Sequence, residues 1–178
     1  MEIFYIDKSE FLQHFSLLEL EKYSDGRKYK SQEKYLEHLC GLYLVKNIAM
    51  KIYNIKNTDI EIISDKPFFK SRELYFSVSH SQNIVAVAFS KYDIGLDVEF
   101  IKKRDFKSIM NHYNFEIENP SAREFYKFWT LHEAEIKLGQ APVSKFSIPM
   151  NDEYYLSCVS STLLISSFDI MKLKPNSL

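Results

Sequence analysis

The chain has 178 residues, which suits one domain or two small fused ones. Its 46% hydrophobic and 15% aromatic content supports a real core. The balance of 23 Lys+Arg against 24 Asp+Glu leaves a net charge of −1, which argues against a bulk nucleic-acid binder but leaves room for a local basic patch.

"EIFYI" (2–6) reads as a first strand, and "EFLQHFSLLELEKY" (10–23) as a helix with an apolar stripe. The start of the chain lacks a basic segment followed by a long apolar run, so it does not read as a signal peptide. No apolar run approaches the roughly 18 residues of a membrane span. The expectation is a soluble, cytoplasmic protein. Cys40 and Cys158 are the only cysteines and suggest neither a disulfide framework nor a cysteine zinc site.

"SDGRKYKSQEK" (24–34) is a basic turn into a long helix over 33–55, in which Leu36, Leu39, Tyr43, Ile48 and Ile52 recur near helical spacing. Gly41 inside that helix hints at close packing. Four strands follow: 59–64, 74–80, 84–90 and 94–100. Short polar links between the last three predict an antiparallel meander. A helix is expected in "KRDFKSIMNHY" and a strong one over 121–139, with Ser121 as N-cap, Glu124 three residues on and Gly139 as stop. "YYLSCVS" and "LLISSFDI" read as closing strands. A long helix followed by strands thus occurs twice. The predicted class is α+β: two pseudo-symmetric halves, 1–95 and 96–178, each a long helix packed on a small antiparallel sheet.

Three groups of residues carry chemistry. Asp97 and Glu99 share one face of strand 94–100, about 6.6 Å apart along it. Two carboxylates so placed repel each other, and a hard divalent cation between them relieves that, because Mg²⁺ prefers oxygen ligands. Two surface acids on a solvent-facing edge are the other reading. On helix 121–139, Trp129, Glu133 and Lys137 recur at i, i+4 and i+8. Glu133 is a candidate third oxygen ligand and Lys137 a candidate phosphate contact; an ordinary surface Glu–Lys pair is the alternative. In "FSVSHSQN" (76–83), Ser77, Ser79, Ser81 and His80 suit a phosphate, against a merely structural histidine. A Ser–His nucleophile fails for want of a glycine elbow and an acid partner. Arg27, Lys28, Lys30, Lys34 and Lys66 are surface charges that, as a set, can line an anionic site.

In this order the segments resemble the 4′-phosphopantetheinyl transferases of the Sfp type. "DKPFFKSRELYFSVSHS" is similar to the family's G-K-P…F-N-I-S-H-S segment, "IGLDVE" to its I-G-[IV]-D-[IV]-E strand, and "FWTLHEAEIKLG" to its W-[ST]-x-K-E-[AS]-x-x-K helix. The basic stretch upstream, including Lys28, is more loosely similar to the helix that carries CoA contacts. The resemblance implies transfer of the phosphopantetheine arm of coenzyme A to a serine of an apo acyl or peptidyl carrier protein, with release of 3′,5′-ADP. It implies CoA in the cleft between the halves. Asp97, Glu99 and Glu133 would hold Mg²⁺ (or Mn²⁺), and Glu133 would be the base. Lys137 would contact a phosphate, Ser79 and His80 the 3′-phosphate, and Lys66 the phosphates or adenine. His132 stands where the family has a lysine before the helix glutamate and completes the catalytic set of Glu133, Lys137 and His132; its neutral imidazole carries less positive charge at pH 7. An internally duplicated fold makes a monomer sufficient, and neither nucleic acid nor membrane is an expected partner. A CoA- or carrier-binding homologue without turnover, or a different metal-dependent phosphotransfer enzyme, are the competing readings.

Overall fold

The computed structural model describes residues 1–113, 115, 120–163 and 169–177. In chain order the elements are β1 (Glu2–Asp7), α1 (Lys8–Phe11), α2 (Leu17–Glu21), α3 (Gln32–Lys51), β2 (Ile60–Ile63), β3 (Lys66–Phe69), β4 (Tyr75–Ser81) and β5 (Ile84–Ser90). They continue with β6 (Ile94–Phe100), α4 (Phe106–His112), α5 (Ala122–Leu138), β7 (Ser144–Pro149), β8 (Tyr154–Ser160) and β9 (Asp169–Lys172). The class is α+β, as expected.

Local chemistry explains most boundaries. Ser121 caps α5 through a reciprocal box with Glu124, and Gly139 closes the helix in the left-handed region at φ 77°. Ser31 caps α3 by accepting from the Lys34 amide. The single helix expected over 10–23 is instead two short ones. Asp7 caps the first, and Ser16 caps the second in an extended conformation that interrupts any continuous helix. The strand expected over 59–64 is β2, but its partner β3 escaped sequence reading because the two-residue turn between them is Ser64–Asp65, both at positive φ, rather than a glycine pair. β7 was also missed. Of the closing segment "LLISSFDI", residues 164–168 lie outside the described residues, and the strand observed is β9.

The predicted meander holds only for β4 and β5, which pair antiparallel. β6 leaves that sheet and pairs with β8 in a second sheet of order β6-β8-β7. The first sheet has the order β4-β5-β1-β9, and β9 runs parallel to β1, so a strand from the end of the chain completes a sheet begun at its start.

Strand alternation sorts the core into layers. Val85, Val87 and Phe89 of β5 join Leu39, Leu44, Val45 and Ile48 of α3 in one cluster. Ile84, Ala86 and Ala88 of the same strand face a second cluster with Ile94, Leu96 and Val98 of β6 and Leu156 and Cys158 of β8. The opposite face of the second sheet carries Gly95 and Val159 against Ala134 and Leu138 of α5. The order is therefore helix, sheet, sheet, helix. Asp97 and Glu99 stand on the β6 face turned toward α5.

Gly95 sets how closely α5 approaches. A Cβ there would collide with the backbone carbonyl of Ala134 and lie 2.8 Å from the Leu138 amide nitrogen. Since a backbone cannot step aside as a flexible side chain does, Gly95→Ala is expected to cost about 3 kcal/mol, the upper range for overpacking. Urea unfolding checks this, and a variant as stable as the parent would show that α5 moves freely.

Candidate active site

β4 and β6 lie side by side without a backbone ladder. Serine hydroxyls stand in for carbonyls. Ser77, Ser79 and Ser81 accept from the amides of Leu96 (3.0 Å), Val98 (3.2 Å) and Phe100 (3.0 Å), at a constant separation of 19 residues. The same hydroxyls donate onward: Ser79 to Asp97 Oδ1 at 2.8 Å and Ser81 to Glu99 Oε2 at 2.7 Å. Each carboxylate is thereby aimed by a serine from the neighbouring strand.

Asp97 is 5% exposed. Its Oδ1 accepts from Ser79 and from Lys137 Nζ at 2.8 Å, while Oδ2 is buried without a partner among the described residues. Burial pushes its pKa above the ordinary carboxylate value; Lys137 and Ser79 work in the opposite direction, and the neighbouring Glu99 charge adds to the rise. Lys137 spends all three of its N–H groups inside the protein, on Asp97, on Ser79 Oγ (3.0 Å) and on the Leu96 carbonyl (3.0 Å). The lysine expected on a phosphate is thus a partner of Asp97 in this structure. Glu133 is half-buried, one helical turn before Lys137, and makes no hydrogen bond or ion pair to another described residue. Among the described residues, no three carboxylate, imidazole or thiol side chains close into a metal-holding cluster. Asp97, Glu99 and Glu133 share the β6–α5 side of the fold but are not gathered into a finished ligand set.

The other expected contacts separate. Ser79 and His80 are adjacent on β4 and so project from opposite faces. Ser79 is buried in the seam, whereas His80 turns to α3, where its Nδ1 lies 3.1 Å from Glu37 Oε2. Lys66 bonds to Asp93 and donates to the Leu138 carbonyl at 2.9 Å, fastening the β2–β3 ribbon to the end of α5. Lys28 is exposed and makes no hydrogen bond or ion pair to another described residue; its neighbour Arg27 pairs with Asp25 at 3.3 Å. His132 leaves α5 into an aromatic nest of Tyr113, Phe115 and Trp129, at ring distances of 4.9, 5.6 and 6.1 Å, with Nε2 buried and unpartnered. The expected catalytic set is therefore split, because Glu133 and Lys137 line one helix flank and His132 packs on another.

Two cavities meet along β4. A cleft of about 490 Å³ is lined by Lys66, Ser77, Val78, Ile136 and Lys137. A smaller one of about 210 Å³ is lined by Arg27, Tyr29, Glu37, His38 and His80. Pro67, Phe76 and Val78 border both, so the two lie side by side along the β2–β3 ribbon. Sequence reading missed Glu37 and its buried partner Lys8, which lies 29 positions away and meets it only through folding.

No protein-family model matches the chain. Individual proteins do. It is 26% identical over 161 residues to the 4′-phosphopantetheinyl transferase gsp of Aneurinibacillus migulanus, covering 82% of this chain and 68% of that protein. It is 32% identical over 120 residues to a putative 4′-phosphopantetheinyl transferase of Haemophilus influenzae, covering 61% of this chain and 51% of that protein. Against the 4′-phosphopantetheinyl transferase Sfp of Bacillus subtilis it is 24% identical over 168 residues, covering 85% of this chain and 75% of that protein. The chain thus spans between half and three quarters of the length of these relatives.

Two outcomes follow from the seam and its carboxylate. Ser77→Ala strands the buried Leu96 amide, at a cost of about 1–3 kcal/mol; faster amide exchange at Leu96 is the direct sign, and unchanged protection there would refute the bond. For Asp97 the sign is set by its raised pKa. The neutral form favours folding, so its contribution is whole below the ordinary 3.8 and is lost as pH rises through the folded value. Asp97→Asn stays neutral throughout, so its melting temperature should rise relative to the parent between acidic and neutral pH. A gap that shrinks with rising pH would contradict the assignment.

Proposed function

We propose that this relative of the Sfp-type 4′-phosphopantetheinyl transferases moves the phosphopantetheine arm of coenzyme A onto a serine of an apo carrier protein, releasing 3′,5′-ADP. The observation that carries the proposal is Asp97 Oδ2: a buried carboxylate oxygen without a partner, beside a lysine-lined groove, in a chain similar to named transferases. A buried, unsatisfied anionic oxygen is costly and calls for a ligand.

The donor set fits Mg²⁺. Asp97, Glu99 and Glu133 offer only hard oxygens, which suits that ion rather than a thiophilic metal. When bound, Mg²⁺ supplies charge neutralisation at the pyrophosphate. The protein's own groups do the remainder. Lys137 holds Oδ1 of Asp97 and so leaves Oδ2 as the ligand oxygen. Ser79 and Ser81 aim the two β6 carboxylates. Glu133 has no internal partner and is free to take the proton of the carrier serine, as a general base must. The groove on the α3 side, with Arg27 and His80, receives the nucleotide end of CoA. The two helix-on-sheet halves read as a pseudo-repeat around this groove. Among the described residues no helix is long and apolar enough to cross a membrane.

A second reading is favoured by one observation: Lys137 is fully engaged and His132 is enclosed by rings, so less positive charge faces the groove than the family pattern implies. A homologue that binds CoA or a carrier without turnover fits this too. One assay separates the readings. Purified protein, Mg²⁺ and labelled CoA are incubated with several apo carriers. Label should appear on the carrier, and Glu133→Gln should lower kcat about 100-fold or more, the range for a lost general base. Calorimetric CoA binding without transfer selects the second reading, and absence of both rejects the first and second together.

A further inference from the structure

We infer that Glu37 is a positioning residue for His80: it holds the imidazole by Nδ1 and supplies the counter-charge under which the opposite ring nitrogen grips an anionic phosphate in the α3-side cavity. The inference rests on the transferase reading, since it takes the nucleotide end of CoA as the occupant.

The geometry is that of a carboxylate with both oxygens assigned. Glu37 is 7% exposed on α3. Its Oε1 accepts from Lys8 Nζ at 2.7 Å and its Oε2 lies 3.1 Å from His80 Nδ1. A carboxylate only accepts, so a hydrogen bond across this ion-pair distance requires the ring proton on Nδ1. The structure gives Nε2 no protein partner among the described residues, and the imidazole is 41% exposed where it lines the cavity. Lys8 is itself buried and is anchored by a 2.5 Å bond from its amide to the Asn83 carbonyl, just beyond β4. The strand that carries His80 and the helix that carries Glu37 are thus tied together twice near one spot.

A buried ion pair of this kind is weak support for stability alone. Its position beside the His80 imidazole, which lines the cavity together with His38, gives it a second role. With Nδ1 occupied, Nε2 is the nitrogen presented to a ligand, and protonation there makes an imidazolium flanked by Glu37 on one side and the phosphate on the other. The charged groups around His80 are Lys8 of α1, Glu37 and His38 of α3, and Lys137 of α5. Burial pushes its pKa down, Lys137, Lys8 and His38 act in the same direction, and Glu37 alone opposes them. Without Glu37, protonation and phosphate binding both become harder at neutral pH.

The test uses the whole chain and two nucleotides, 3′,5′-ADP and 5′-ADP, which differ only in the extra phosphate. The variants are Glu37→Gln, His80→Ala and the double substitution, with Lys8→Met/Glu37→Gln as a charge-balanced version should the first fold poorly. In the parent, nitrogen-detected NMR should show His80 with its proton on Nδ1, and 3′,5′-ADP should bind about tenfold more tightly than 5′-ADP. In Glu37→Gln the Nδ1–H preference should fade. The tenfold preference should be lost at neutral pH and return in part as pH is lowered, with 5′-ADP affinity unchanged. In the His80→Ala background, Glu37→Gln should do nothing further. An unchanged tautomer, an intact phosphate preference, or an equal additional loss in the absence of His80 would each overturn the inference. CoA binding by a parent that shows no phosphate preference overturns it while sparing the transferase reading; no CoA binding at all removes both.

Discussion

The arrangement depends on how β4 and β6 are joined. Two sheets that cannot pair their edges directly would leave amides of β6 buried and unsatisfied, a cost that native folds avoid. Here Ser77, Ser79 and Ser81 solve that with hydroxyls, each taking one amide. A hydroxyl is an acceptor and a donor at once, and that second capacity matters as much as the first. The proton that Ser79 and Ser81 do not need for the seam is the one that orients Asp97 and Glu99. One run of alternating serines therefore both fuses the sheets and aims the carboxylates.

Asp97 illustrates the tension between stability and function. Its burial raises the cost of charge, and Lys137 repays only part of it because one oxygen remains without a partner. A fold selected for stability alone would place an amide or an apolar residue there. Keeping a buried, half-paired carboxylate beside an open groove is the mark of a site that awaits a ligand. Gly95, two residues earlier on the same face, allows α5 to come close enough for Lys137 to reach.

Much of this was legible beforehand. The alternation in "IGLDVEF" correctly separated Ile94, Leu96 and Val98, which pack between the sheets, from Asp97 and Glu99, which face α5. Ser121, Glu124 and Gly139 bounded α5 as written. The three ordered motifs pointed to the Sfp-type transferases, and the sequence comparisons agree. What misled was locality. Short links around β5 suggested that β6 would continue the meander, yet a link of a few residues is equally able to change sheets. The apolar stripe over 10–23 hid a second cap at Ser16, which outcompetes a continuous helix.

The sequence by itself determined the alternation of β6, which faces of β6 and α5 carry charge, and the family the chain resembles, because periodicity and motif order are properties of a line. Only the tertiary structure decided which charges meet. Lys137 turns to Asp97, Lys66 to Asp93, His80 and Lys8 both to Glu37, and His132 to a ring of aromatics. The polar partners of Lys66 and Lys8, brought together from 27 to 72 positions apart, leave no local signal. A charged side chain in a low-dielectric interior takes whatever counter-group the packing delivers to it, and that delivery is fixed by the stacking of helix, sheet, sheet and helix.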